Sequence, residues 1–133
     1  MKFRSLVFQL DTTPYPARVL VSVCQTDERF KQSLSDYLGA DKLAKPKYKG
    51  VEKSSDDVAA YILNMDEGDM VIRLYSKPRS PEDYALIQHE IYHIIHGIMR
   101  HCNIKPTKGN EEAYAYLTQH LTEQLYRKLM PKK

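Results

Sequence analysis

The 133-residue chain is predicted to fold as one α+β domain with a small, mostly antiparallel sheet. One observation is that segments rich in Val, Leu and Ile come in two pairs, each joined by turn-forming residues. Another is that apolar residues recur at helical spacing after each pair. The length also suffices to bury a core without disulfides or a structural metal. The expected order is two strands, one helix, two strands and two helices.

The N-terminal part is predicted to hold a hairpin and the first helix. Residues 5–10 and 17–24 are predicted strands, because the intervening DTTPYP has turn chemistry. A helix follows, in which Thr26 or Asp27 can cap the start and Gly39 suits the end.

The second half is predicted to hold another hairpin and two longer helices. Residues 40–57 are rich in lysine and are expected to form a long, exposed and flexible connection. Strands are predicted at 58–64 and 70–76, with a tight acidic turn between them. The helices are predicted at about 82–101 and 110–129, and the loop between them contains a proline and a glycine.

The composition is that of an ordinary soluble protein and excludes collagen, coiled-coil fibres and wholesale disorder, since 42% of residues are hydrophobic and 28% are charged. No apolar run approaches the ~20 residues of a membrane span, and the N-terminus does not have the pattern of a signal peptide. The two cysteines, Cys24 and Cys102, provide neither a disulfide framework nor a cysteine zinc site. A reducing, cytoplasmic location is therefore expected.

The net charge of +3 is too small to indicate a nucleic-acid partner. The lysines between residues 42 and 53 are expected to be a solvated loop, because no interleaved aromatic residues accompany them beyond Tyr48. Nucleic-acid binding is therefore not expected.

Residues 89–93 spell His-Glu-Ile-Tyr-His, which is the H-E-x-x-H pattern, and they fall within a predicted helix. Residues four apart lie on one helix face, so His89 and His93 can bind one ion through their imidazoles. Glu90 lies about 100° round the helix from His89 and can reach a metal-activated water without being a ligand. The spacing therefore predicts a metal site with Glu90 as general base.

A helical projection separates this motif from the apolar residues of the same helix. His89, His93 and His96 lie on one side of the helix, with Arg100 among them. The opposite side carries five isoleucines: Ile87, Ile91, Ile94, Ile95 and Ile98. We expect the isoleucines to pack against the sheet while the histidines face a cleft.

The third metal ligand has three candidates. The longer pattern H-E-x-x-H-x-x-G-x-x-H fails, because position 96 is His and position 99 is Met. His96 itself would lie in line with the other two histidines and converge poorly on one ion, so it is expected to line the cleft. A carboxylate from the next helix remains, either Glu111 or Glu112. Glu112 heads a row of polar residues and Glu111 lies near the apolar stripe, which leaves the choice open.

The segment HEIYH followed by NEEAYAYL resembles the gluzincins, zinc metallopeptidases in which two histidines come from one helix and a glutamate from the next. More narrowly, it is similar to small uncharacterised bacteriophage and prophage proteins with a short sheet, an H-E-x-x-H helix and a following E-x-x-A-Y helix. The resemblance covers about residues 70–129. It implies one zincin-like domain over 1–133 and one Zn²⁺ held by His89, His93 and Glu112.

The resemblance implies that the protein is a zinc-dependent metallopeptidase. It would hydrolyse a peptide or protein substrate, with Glu90 as general base. The peptide is expected to lie along an edge strand, with 70–76 as the candidate. Three residues are candidates to line the cleft or to stabilise the oxyanion of the transition state: Tyr116, Tyr92 and His96. Tyr116 also stands where larger gluzincins often carry an Asp that orients a histidine ligand.

The alternative is a non-catalytic zincin-fold accessory or virion assembly protein of a phage or prophage, which the small size favours. An intact Glu90 favours catalysis, because a structural zinc site needs no base. In both cases the expected location is the cytoplasm of a bacterium or of a phage-infected host cell, with no membrane partner.

Overall fold

The computed structural model of the protein describes residues 5–49, 58–64 and 67–130. Within these ranges four strands form one mixed sheet: β1 (Leu6–Leu10), β2 (Arg18–Val23), β3 (Val58–Asn64) and β4 (Asp69–Leu74). The strand order is β1–β2–β4–β3. The β1–β2 and β3–β4 pairings are antiparallel and the central β2–β4 pairing is parallel. Both predicted hairpins and the mostly antiparallel α+β class are therefore confirmed.

The helices are α1 (Asp27–Leu38), the one-turn α2 (Ala40–Leu43), α3 (Pro81–His101) and α4 (Glu111–Leu129), with short 3-10 turns at Pro46–Tyr48 and Lys108–Asn110. Thr26 caps α1, since its side chain accepts a hydrogen bond from the Arg29 N–H at 3.1 Å. Gly39 follows α1 with a φ of 97°, a conformation that favours glycine. The two long helices begin and end within one residue of the predicted positions.

Residues 40–49 of the expected connection are mostly exposed, but they contain α2 and the turn Pro46–Tyr48, which the sequence did not predict. Tyr48 is buried, and its hydroxyl donates to the Leu63 carbonyl at 3.1 Å. Lys42 contacts the buried carboxylate of Asp69 at 3.2 Å. An aromatic anchor and a charge pair therefore hold this segment to the sheet. The remainder of the predicted connection, 50–57, lies outside the described residues, so its mobility stays a prediction.

Helices cover both faces of the sheet. Alternate residues of its two central strands point to opposite sides and pack against different helices. On one face, Leu20 and Val71 pack against α1 through Phe30, Leu34 and Tyr37. On the other face, α3 and α4 cover the larger core. Its strand residues are Val19, Val21, Val23, Met70, Ile72 and Leu74, and its helix residues include Ile87, Ile91, Ile94, Ile95, Ile98, Leu117, Leu121 and Leu125. The predicted packing of the α3 isoleucines is confirmed, and it leaves the histidine side of α3 facing away from the sheet.

Truncating one of these isoleucines tests how far the fold depends on the α3–sheet contact. Ile94 has no exposed surface. Ile94→Ala should lower the free energy of unfolding by about 2–5 kcal/mol, because it removes buried methyl groups and leaves a cavity. Urea unfolding followed by circular dichroism measures this. The matched variant Leu86→Ala, at a half-exposed position of the same helix, should cost much less; equal costs would contradict the packing.

The expected peptide-docking strand at 70–76 is wrong, because β4 lies between β2 and β3 and both of its edges are paired. The edge strands of this sheet are β1 and β3. Helix α3 packs mainly against β3, so β3 is the edge strand nearest to α3 among the described residues. Among the described residues, no helix is long and apolar enough to cross a membrane.

Candidate metal centre

His89 and His93 stand together on the exposed side of α3. Their Nε2 atoms are 3.2 Å apart and their rings meet nearly edge to face, with centroids 4.9 Å apart. Both side chains are exposed. The structure therefore brings together the two histidines that the motif predicts.

This separation fits a shared zinc ion. Zinc binds imidazole nitrogen at about 2.0–2.1 Å and prefers tetrahedral angles, which places two histidine nitrogens about 3.3 Å apart. The same 3.2 Å also permits a hydrogen bond between two neutral rings, one donating and one accepting. The separation of the two histidine nitrogens is therefore compatible with one shared zinc ion.

Glu90 is half-buried and lies on the flank of α3 away from α4. Helical geometry sets it about 100° round the axis from His89 and about 60° from His93 on the same side. Residue 90 therefore stands beside the histidine pair on the helix surface. That is the position that the H-E-x-x-H pattern requires of a base that is not a ligand.

His96 belongs to a row of stacked rings and not to the pair. Its ring centroid is 4.3 Å from that of Tyr92 and 5.1 Å from that of Tyr114 on α4. Tyr92 also contacts His93, with centroids 5.9 Å apart, and is largely exposed. Burial raises the pKa of the Tyr114 hydroxyl, which donates to the Ile104 carbonyl at 2.6 Å. Tyr92 and His96 therefore flank the pair, and their role as cleft residues stays a prediction.

The contacts between α3 and α4 define their antiparallel register. Tyr84 lies against Tyr126, Gln88 donates to Thr122 Oγ1 at 3.3 Å, and His96 packs on Tyr114. This register sets Leu117 level with His93 and Glu112 level with Ile98. Glu112 is thus five residues, or about 7.5 Å along the helix axis, beyond His93.

Neither candidate glutamate joins the histidines in this structure. Glu111 and Glu112 are both exposed in the first turn of α4. Within residues 5–49, 58–64 and 67–130, no three His, Cys, Asp or Glu side chains form a group that could hold a metal ion. The third ligand, and the choice between the two glutamates, therefore stay predictions.

Tyr116 points to the other side of α4. It is 67% exposed and lines a depression of about 390 Å³ formed with the β1–β2 loop, where the loop residues are Thr13, Pro14 and Tyr15. A second, more open depression of about 610 Å³ lies between α3 and α4 and is lined by Gln88, Ala115, Thr118, Gln119, Thr122 and Glu123. Tyr116 is therefore not placed to act at the histidine pair, whereas Gln88 is the neighbour of His89.

Comparisons of the chain with family models, with curated proteins and with solved structures find no match. The residues of the site therefore carry the functional inference.

No spacing rule in the sequence points to the depression beside the β1–β2 loop. Two hydrogen bonds hold that loop to α4, from the Asp11 N–H to Gln124 Oε1 at 2.7 Å and from Gln124 Nε2 to the Asp11 carbonyl at 2.9 Å. The bonded residues are 113 positions apart. Only the fold brings Tyr15, His120 and Glu123 to one place.

Proposed function

We propose that this protein is a zinc-dependent peptidase whose metal is held by His89 and His93 and whose general base is Glu90. The observation that carries the proposal is the 3.2 Å separation of the two Nε2 atoms on the exposed side of α3. Such a pair with a neighbouring glutamate is the constellation that metal-assisted peptide hydrolysis uses. The intact Glu90 favours hydrolysis over a structural metal site, which needs no base.

A zinc ion bound there would polarise the scissile carbonyl and activate a water for attack. The residues of this chain do the rest. Glu90 accepts a proton from the attacking water and passes it to the leaving amine. Burial of Ile91 and Ile94 against the sheet holds α3 in place, which keeps Glu90 and the histidines at constant separation. The open depression between α3 and α4, next to Gln88, provides room for the peptide.

Glu112 is our proposed third ligand, on the resemblance to gluzincins. In the present register it is too far along the axis, and it shares with Tyr116, four residues on, the face of α4 that points away from the pair. Metal binding would therefore have to both draw and rotate the first turn of α4 toward His93. That turn follows the loop Cys102–Thr107 and the 3-10 turn Lys108–Asn110, whose side chains are mostly exposed. The start of α4 is therefore the part of the helix with the least packing to resist such a movement.

Two matched variants test the third ligand. Glu112→Gln should weaken zinc affinity by roughly 100-fold or more, since loss of a ligand should exceed the effect of losing a partner outside the ligand shell. Glu111→Gln, which changes the adjacent exposed carboxylate, should change the affinity by less than about twofold. Competition with a chromogenic chelator measures both. The reverse result would make Glu111 the ligand, and two unchanged affinities would exclude both glutamates.

A second candidate function is a non-catalytic accessory or assembly module that keeps a zincin-like arrangement. The observation that favours it is the exposure of His89 and His93, neither of which lines a described depression. A metal there would be reachable by a donor from another molecule. Peptide cleavage that depends on Glu90 would reject this alternative.

A further inference from the structure

We propose that the depression between the β1–β2 loop and α4 binds the side chain of a lysine or arginine in a peptide. Its role as a substrate subsite rests on the proposed peptidase function, but the binding itself does not. The depression measures about 390 Å³, within the usual size of ligand pockets. Its lining residues on α4 are Tyr116, Leu117, Gln119, His120 and Glu123.

The loop wall of the depression is held in one conformation. Beyond the two hydrogen bonds between Asp11 and Gln124, the buried Thr12 hydroxyl donates to the Ala17 carbonyl at 2.6 Å. The Tyr15 N–H donates to the Thr12 carbonyl at 2.8 Å. A wall that is already ordered loses little conformational entropy when a ligand binds.

One carboxylate, that of Glu123, lines this depression, and a second, that of Asp11, lies outside the lining next to His120. Hydrogen bonds from Thr13 hold the pKa of Asp11 below its usual range. A hydrogen bond from Arg127 likewise lowers the pKa of Glu123. The nearby cation is Arg127, and the His120 Nε2 atom is 3.8 Å from Asp11 Oδ2. The Arg127–Glu123 pair is highly exposed, so it is weak and leaves Glu123 able to interact with a second cation.

Two tyrosine rings at the depression also favour a cationic ligand. Tyr15 and Tyr116 line the depression from the loop and from α4. A guanidinium or ammonium group gains from contact with a tyrosine face, whereas an anion is repelled by it. Tyr116 is 67% exposed, although it is one of the largest side chains of α4. Two tyrosines combined with the Glu123 carboxylate favour a basic side chain over an acidic one.

The loop-side depression adjoins, across α4, the open depression between α3 and α4. Gln119 and Glu123 line both the loop-side depression and the open depression between α3 and α4. Gln88, at the far rim of the second depression, precedes His89 in the chain. A peptide held near the pair can therefore cross α4 at Gln119 and place a basic side chain beside Glu123 and Tyr116.

The test is binding by metal-free protein, which separates it from catalysis. The probes are the tripeptides acetyl-Ala-Arg-Ala-amide and acetyl-Ala-Gln-Ala-amide, titrated into the full chain and followed by NMR. The arginine peptide should bind at least fivefold more tightly than the glutamine peptide. Glu123→Gln and Tyr116→Ala should each lower the affinity for the arginine peptide about threefold to fivefold. Glu28→Gln, an exposed carboxylate on α1, is the matched control and should leave it unchanged.

Equal binding of the two peptides would overturn the proposal, as would an arginine peptide whose affinity neither variant changes. A protein that cleaves peptides but does not distinguish them in this titration would reject the basic-side-chain site alone. Selective binding of the arginine peptide by a protein whose zinc-loaded form cleaves no peptide would support this site and reject the peptidase function.

Discussion

Replacing Glu90 by glutamine is expected to lower the turnover of a cleaved peptide by roughly 10²–10⁴-fold, which is the usual contribution of a general base. Glutamine has nearly the shape of glutamate but does not accept the proton of the attacking water. Because Glu90 is not a metal ligand in the proposal, zinc content should stay at the wild-type value. A library of fluorescence-quenched peptides supplies the substrate, and zinc is measured on the same samples.

The matched control for this variant is Glu82→Gln, which removes an exposed carboxylate two turns earlier on α3. It should retain wild-type turnover. If Glu90→Gln cleaved as fast as the wild type, the cleavage would come from another site or a contaminant. If neither protein cleaved any peptide, the accessory-module function would be the better account.

Much of the fold was predictable from local sequence patterns. The isoleucine stripe of α3 recurs at helical spacing, so the buried side of that helix was predictable from 87–98 alone. Helix α1 begins after Thr26 and ends before Gly39, and the capping chemistry of these residues needs no tertiary contact. The exposed face of His89 and His93 then follows, because it is the side opposite the isoleucines.

Features that depend on long-range pairing were not predictable in this way. The parallel pairing of β2 with β4 makes β4 an interior strand, and no local pattern distinguishes an interior strand from an edge. The register of α4 along α3 depends on contacts such as Gln88 with Thr122, so the distance of Glu112 from His93 was also inaccessible. The packing of Tyr48 beneath the lysine-rich segment was missed because exposed neighbours surround that tyrosine in the sequence.

Replacing His93 by alanine should abolish the stabilisation that zinc gives the wild-type protein. A ligand that binds only the folded state at 100 times its dissociation constant adds about 2.7 kcal/mol to the free energy of unfolding. For a domain of this size that raises the Tm by roughly 10 °C. The alanine variant retains one of the two imidazoles, so its Tm should hardly respond to zinc. Differential scanning calorimetry with and without zinc gives both values.

The matched control is His120→Ala, which removes a partly exposed histidine from α4 on the far side from the pair. Its Tm should rise with zinc as much as that of the wild type. A zinc response that survives in His93→Ala would show that the ion binds elsewhere. A response that is lost in His120→Ala would move the site to the loop-side depression.

The zinc content of purified protein tests the central claim most directly. The wild-type chain is loaded with excess zinc, freed of unbound metal by desalting and analysed for zinc and for protein, beside His93→Ala treated identically. The predicted result is one zinc ion per wild-type chain and almost none in the variant. A wild-type content well below one, or equal contents in the two proteins, would contradict a metal centre at His89 and His93.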